Sequence, residues 1–158
     1  MSTFKRILVP VDFSACSRAA LDQAYSLAEQ FDGTINVLHV WNPPLYVGPD
    51  VGLSFGETGQ TLWDFARAAA GKDMEQFLAE FQRRGPVKIT PRLEQGSPHE
   101  RILSIANSGK CDLIVIGTHG RTGLSHLFLG SVAERVVRHS RCPVLTVRAE
   151  SKTVAGPA

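Results

Sequence analysis

Two periods organise the apolar positions of this chain. Short unbroken runs alternate with longer stretches in which apolar residues recur three or four positions apart. Leu113-Ile114-Val115-Ile116 is too short a run for a helix and reads as a strand buried on both faces, the mark of a parallel sheet. Ile7-Leu8-Val9 centres a first strand over residues 4–10, and Thr34–Trp41 is a second. Between them, Ala20, Ala24, Leu27 and Phe31 share one face of a helix over 15–31, with Ser14 as N-cap and Asp32-Gly33 as stop. Met74, Phe77, Leu78 and Phe81 form the stripe of a helix over 61–84, a pattern that reads as core packing, and Gly85-Pro86 ends it. A third strand covers 87–93. Pro91 lies inside it and cannot donate to a ladder, which places that strand at a sheet edge. Ser97-Pro98-His99-Glu100 spells an N-cap, a proline at the first helical position and a capping glutamate for a helix reaching about 107, and Gly109 stops it. A last helix over 132–140 and a strand over 143–148 complete the pattern.

Strands alternating with helices imply parallel βαβ units with right-handed crossovers. The expected fold is α/β: a doubly wound, Rossmann-like, five-stranded parallel sheet of order 3-2-1-4-5 with helices on both faces. In such a sheet ligands bind at the carboxyl ends of the strands flanking the reversal of order. Those ends are Pro10-Val11-Asp12 on strand one and Ile116-Gly117 on strand four. Residues 1–148 are expected to form one domain, and 149–158 a flexible tail. Residues 42–60 hold Pro43, Pro44, Gly48, Pro49, Gly52, Gly56 and Gly59 with little periodicity. A loop of that length is expected to be functional or mobile, and has two readings: a lid over the nucleoside side of the site, or a permanently disordered insertion.

The segment after strand four carries the chemistry. Gly117, Gly120 and Gly123 follow the strand at three-residue spacing, and Gly130-Ser131 stand before the last helix. Glycines let backbone N–H groups approach a ligand, and a helix N-terminus offers unpaired donors and a partial positive charge. The order strand, glycine-rich loop, helix therefore suits a phosphate. Thr118 lies in this loop, and His119 and Arg121 are placed to reach phosphate oxygens from it. Ser131 has two readings: a hydroxyl for a phosphate, or the cap of its own helix in a Ser131-x-x-Glu134 box. Asp12 also has two: acceptor for a ribose hydroxyl or the adenine amino group, or a carboxylate favoured by the start of the first helix.

Neither G-x-x-x-x-G-K-[ST] nor G-x-G-x-x-G is present. The spacing Gly117-x2-Gly120-x9-Gly130-Ser131 instead resembles the ATP-binding motif of the universal stress protein family, with every glycine and the serine matched. The likeness extends to Ile7-Leu8-Val9-Pro10-Val11-Asp12 and Cys142-Pro143-Val144-Leu145-Thr146-Val147, nearly the length of the chain. The resemblance implies ATP, with Mg2+ or Mn2+ carried on its phosphates, and a role in stress response. It puts Asp12 near the nucleoside, the Val40 backbone at adenine, and Gly117, Gly120, Gly130, Ser131 and Val132 at ribose and phosphates.

Composition narrows the classes without changing this picture. At 158 residues with 43% hydrophobic and 20% charged positions the chain is an ordinary globular one, its net charge of +2 gives no nucleic-acid footprint, and no run is long enough to cross a membrane. A cytoplasmic location is expected. Cys16, Cys111 and Cys142 are far apart and show no C-x-x-C, which argues against a disulfide framework or zinc site. His39, His99, His119, His126 and His139 have no metal-ligand spacing, and His39 reads as a satisfied core residue. An ATP-binding regulatory protein is the leading reading. A slow ATPase or nucleotidyl-transfer enzyme, and a partner-binding module without nucleotide, are its rivals. The edge strand over 143–148, which carries no charge from Pro143 to Val147, is expected to pair with a second copy of itself.

Overall fold

The structure is a computed structural model and describes residues 4–42, 59–119 and 129–149. The expectations of a lid over 42–60 and a tail over 149–158 fall, apart from residues 42, 59, 60 and 149, outside those residues. Strands β1 (Arg6–Pro10), β2 (Thr34–Trp41), β3 (Lys88–Gln95), β4 (Leu113–Gly117) and β5 (Val144–Val147) alternate with helices α1 (Ala15–Phe31), α2 (Leu62–Arg83), α3 (Pro98–Ile105) and α4 (Ser131–His139). All pairings are parallel and the order is β3-β2-β1-β4-β5, as the alternation implied. Pro91 does lie on an edge strand.

Each inner strand sends alternate residues to opposite faces. Ile7, Val9, Ile35, Val37, Leu113 and Val115 meet Leu21 and Ala24 of α1 and Phe77, Leu78 and Phe81 of α2. Leu8, Leu38, Ile114 and Ile116 face the other way, onto Ile102 of α3 and Ala133 and Val136 of α4. The sheet is thus apolar on both sides and wound on both.

The starts of α1 and α3 were read correctly in position, those of α2 and α4 to within one residue, and the mechanism of capping less well. Ser14 caps α1 by accepting from the Ser17 N–H at 3.2 Å. Ser97 precedes α3 but makes no capping bond; its hydroxyl lies 2.9 Å from Nδ1 of His99 instead. α3 then runs into a π turn over Ala106–Lys110, which bends back at Gly109 (φ 73°).

At the amino ends of the strands, Arg6 clamps β1 to the entry of β4. Its guanidinium donates to Asp112 Oδ1 at 2.6 Å and to the Gly109 carbonyl at 2.9 Å, and its backbone N–H donates to Asp112 Oδ2 at 2.9 Å. These bonds from Arg6 hold the Asp112 carboxyl below its ordinary value of 3.8. A depressed carboxyl contributes stability above its unfolded pKa, which fades as pH falls through the lower folded value. Asp112→Asn is therefore expected to lower the urea midpoint at pH 7 and to flatten the loss of stability below about pH 4. Parallel acid limbs for the two proteins would contradict the clamp.

Candidate functional site

At the carboxyl ends of β1 and β4 lies a crevice of about 330 Å³. It is in the range of ligand pockets and sits at the reversal of strand order. Its walls are mostly apolar, from Pro10, Val11, Val40, Ile116 and Val132, with polar groups at Asp12, Thr118, His119 and Ser131. Gly117 and Gly130 complete the set, so every described residue singled out from the sequence borders this one space. Gly120, Arg121 and Gly123 lie outside the described residues.

On the β1 side the turn after Pro10 is tightly held. The Ser17 hydroxyl, almost fully buried, donates to Asp12 Oδ1 at 2.6 Å and accepts from the Asp12 N–H at 2.9 Å. The Ser14 N–H donates to the same carboxylate oxygen at 3.1 Å. Asp12 is thus oriented from α1, which joins its two readings: it belongs to the helix start and also borders the crevice. Phe13 adopts a left-handed backbone (φ 65°), uncommon for an aromatic residue. Its ring is locked against His39, 4.3 Å between centroids, and Phe77, 5.4 Å. His39 donates through Nδ1 to the Val11 carbonyl at 2.9 Å, the satisfied role expected of it.

On the β4 side, Thr118 receives the chain back from its loop. The Gly130 N–H donates to the Thr118 carbonyl at 2.6 Å, and the Thr118 N–H donates to Val147 of β5 at 2.8 Å. The excursion after β4 therefore starts and ends at one neck. A Cβ on Gly130 would stand 3.0 Å from the Thr118 carbonyl oxygen, so a side chain there would crowd the return of the chain by a few tenths of an ångström. A Cβ on Gly117 would meet Cys16 Cβ at 2.8 Å and the Cys16 backbone at 2.9 and 3.0 Å. Gly117 thus lets β4 abut the first turn of α1, a packing role the loop pattern did not announce. His119 Nδ1 lies 2.9 Å from the Thr118 hydroxyl.

The Ser131–Glu134 capping box, one of the two readings of Ser131, does not form. Ser131 is the first residue of α4, Gly130 occupies the cap position, and among the described residues no side chain caps the helix. Glu134 instead receives Arg138 one turn on, at 2.8 Å. The helix consequently opens at the crevice with its first N–H groups uncapped by any described side chain, beside the exposed Ser131. This arrangement suits an anion. The periodicity missed Ser17 and Leu38, together with Pro98 and Ile102 of α3 and Ala133 of α4, all of which border the same space. Among the described residues no cluster of three or more His, Cys, Asp or Glu side chains could hold a metal ion, and no helix is long and apolar enough to cross a membrane.

Residues 3–148 match the model of the universal stress protein family. A universal stress protein of Methanocaldococcus jannaschii is 34% identical over 94% of this chain and 85% of its own length. Among solved structures, the universal stress protein UspA from Lactobacillus plantarum superposes with a TM-score of 0.77 at 26% identity, covering 94% of this chain and all of that one. A universal stress protein solved in complex with cAMP shares the fold at a TM-score of 0.69 and 22% identity, over 94% of this chain and all of that one.

Proposed function

Because the chain belongs to the universal stress protein family, we propose that it is an ATP-binding regulatory protein of the stress response, acting in the cytoplasm through the single domain of residues 1–148. The nucleotide lies in the crevice between β1 and β4. Its nucleoside rests against Pro10, Val11 and Val40, with Asp12 accepting from a ribose hydroxyl or the adenine amino group. Its phosphates sit over Gly117, Thr118 and His119 and at the start of α4, at Gly130, Ser131 and Val132, with Gly120, Arg121 and Gly123 contributing from the loop. Mg2+ or Mn2+ rides on the phosphates; the chain itself supplies no ligand cluster among its described residues.

The observation that carries this reading is the start of α4, uncapped by any described side chain and carrying an exposed serine, opening onto an apolar crevice at the switch point. The test is purification without added nucleotide, mass spectrometry of whatever small molecule comes with the protein, and calorimetric titration with Mg–ATP. Bound adenine nucleotide, or saturable heat with one site per chain, is the expected result. A chain that arrives empty and takes up no ATP would refute the proposal, and a turnover assay on the same sample decides whether the nucleotide is only held.

The protein is further proposed to be a homodimer through β5. This strand is at the second edge of the sheet, and Leu145 on it is 38% exposed. Antiparallel pairing of two such edges about a two-fold axis would cover both. Sedimentation at micromolar concentration is expected to give twice the chain mass, and Thr146→Pro to lower it.

A further inference from the structure

Cys111 and Cys142 are 31 positions apart in sequence, yet their sulfurs lie 3.6 Å from one another. Two features bring them together. The π turn after α3 delivers Cys111 to the entry of β4, and the turn after α4 delivers Cys142 to the entry of β5. The parallel pairing of those strands sets Ile114 against Val144, so the residues just before them run side by side. Cys142 is fixed in its turn: its N–H donates to the Ser140 hydroxyl at 3.1 Å, and that hydroxyl donates back to the Cys142 carbonyl at 2.8 Å. The neighbouring Arg141 N–H donates to Asn107 Oδ1, at 3.0 Å, within the π turn that precedes Cys111. Both cysteines are reduced, Cys111 buried and Cys142 half-buried.

We propose that this pair is an oxidation site, converted to an intrachain disulfide by a two-electron oxidant of the peroxide class. The inference stands independently of nucleotide binding. A disulfide needs sulfurs about 2.05 Å apart, so the two must close by about 1.5 Å from the present 3.6 Å, within reach of small side-chain rotations. In the first step the half-buried Cys142 thiolate attacks one peroxide oxygen, the O–O bond breaks, and hydroxide leaves to give a sulfenic acid. The Cys111 thiolate then attacks that sulfur, the S–O bond breaks, and hydroxide leaves again. Overall, two thiols and one peroxide give one disulfide and two waters. Burial raises both thiols, Cys111 to about 12. Thiolate is therefore scarce at neutral pH, and the reaction is a slow response to sustained oxidant, quickening about tenfold per pH unit below the thiol pKa values.

The bond would staple the entry of the edge strand β5 to that of β4, at the end of the sheet away from the crevice. Intact wild-type protein is incubated with hydrogen peroxide at pH 7 and pH 8, alkylated, digested and analysed by mass spectrometry without reductant. The expected product links the Cys111 and Cys142 peptides within one chain, leaves Cys16 outside the link, and reverts with dithiothreitol. Its formation is expected to be about tenfold faster at the higher pH. The oxidised wild type should melt at a higher temperature than the reduced form, and Cys142→Ser should show neither the link nor the rise. Cys111→Ser is a second control should that variant be poorly folded. A treated protein whose Cys111 and Cys142 both remain open to alkylation would overturn the proposal, as would a link through Cys16 or between chains.

Discussion

Gly117→Ala is expected to cost about 3 kcal/mol of folding stability, a large fraction of what a domain of this size possesses. One methyl group suffices, because the atoms it would meet are 2.8 to 3.0 Å away and belong to Cys16, two of them backbone in the first turn of α1. That turn cannot recede. Its start is bound through Ser14 and Ser17 to Asp12, and its next residues are buried against the sheet. The remaining course is for β4 to move, and β4 is clasped between β1 and β5. Urea unfolding of the variant beside the wild type measures the loss. A midpoint within error of the wild type would show that the strand and helix are less firmly seated than their geometry states. The same contact governs how binding data are read: weaker ligand binding by a Gly117 variant reports a displaced strand, and is not proof of a lost ligand contact.

Ser131→Glu is expected to move stability and binding in opposite directions. A carboxylate in the first turn of α4 interacts favourably with the helix dipole, so the folded chain should be unchanged or more stable by a few tenths of a kcal/mol. The same carboxylate stands at the opening proposed to receive phosphates. Two like charges about 4 Å apart near a protein surface repel by about 4 kcal/mol before salt screening. Allowing for screening and side-chain escape, about 2 kcal/mol remains, or about 30-fold weaker ATP binding. Ser131→Ala, which removes only the hydroxyl, should weaken binding by much less. Calorimetry and thermal melting on the same preparations read both quantities. Unchanged ATP affinity in a folded Ser131→Glu protein would remove the phosphates from the start of α4.

Strand order was legible in the sequence because several independent signals agreed. Unbroken apolar runs distinguished doubly covered strands from helices, and Pro91 alone sufficed to send β3 to an edge. The residues around the crevice were legible for a related reason. In a doubly wound sheet the ends of β1 and β4 meet at the switch point, so naming the strands names their ends. What escaped were contacts made by elements distant in sequence. Pro98 and Ile102 reach the crevice from α3, and nothing in their own helical pattern distinguishes a residue over a cavity from one over the core. Ser17 looked like a helix residue, but it closes on Asp12 five positions earlier. Ser131 and Glu134 carried the spacing of a capping box. The box failed because Ser131 is already helical, Gly130 holds the cap position, and Arg138 takes the glutamate. The two sulfurs were separated by a whole helix and its loops in sequence and joined only by the β4–β5 register.

The pairing of β1 with β4 has a consequence for how the chain assembles. β1, β2 and β3 follow one another in sequence and lie side by side in long registers, from Arg6–Thr34 to Pro10–Leu38 and from Thr34–Lys88 to Trp41–Gln95. β4 and β5 are likewise neighbours in both senses. Within the sheet the two groups join where the register covers only Ile7–Leu113 and Leu8–Ile114 and where Arg6 reaches a partner 106 residues away, and α1 crosses the same boundary to pack on β4. Closing a loop of that length carries the largest ordering entropy in the sheet, for the shortest ladder. The pairing of β1 with β4 is therefore expected to close late in folding, between two wings of strands that assemble locally. The crevice straddles that boundary, each wing supplying one wall, so it does not exist in either wing alone. A molecule seated there touches both wings and opposes their separation, which makes occupancy of the crevice a measure of whether the chain has finished folding.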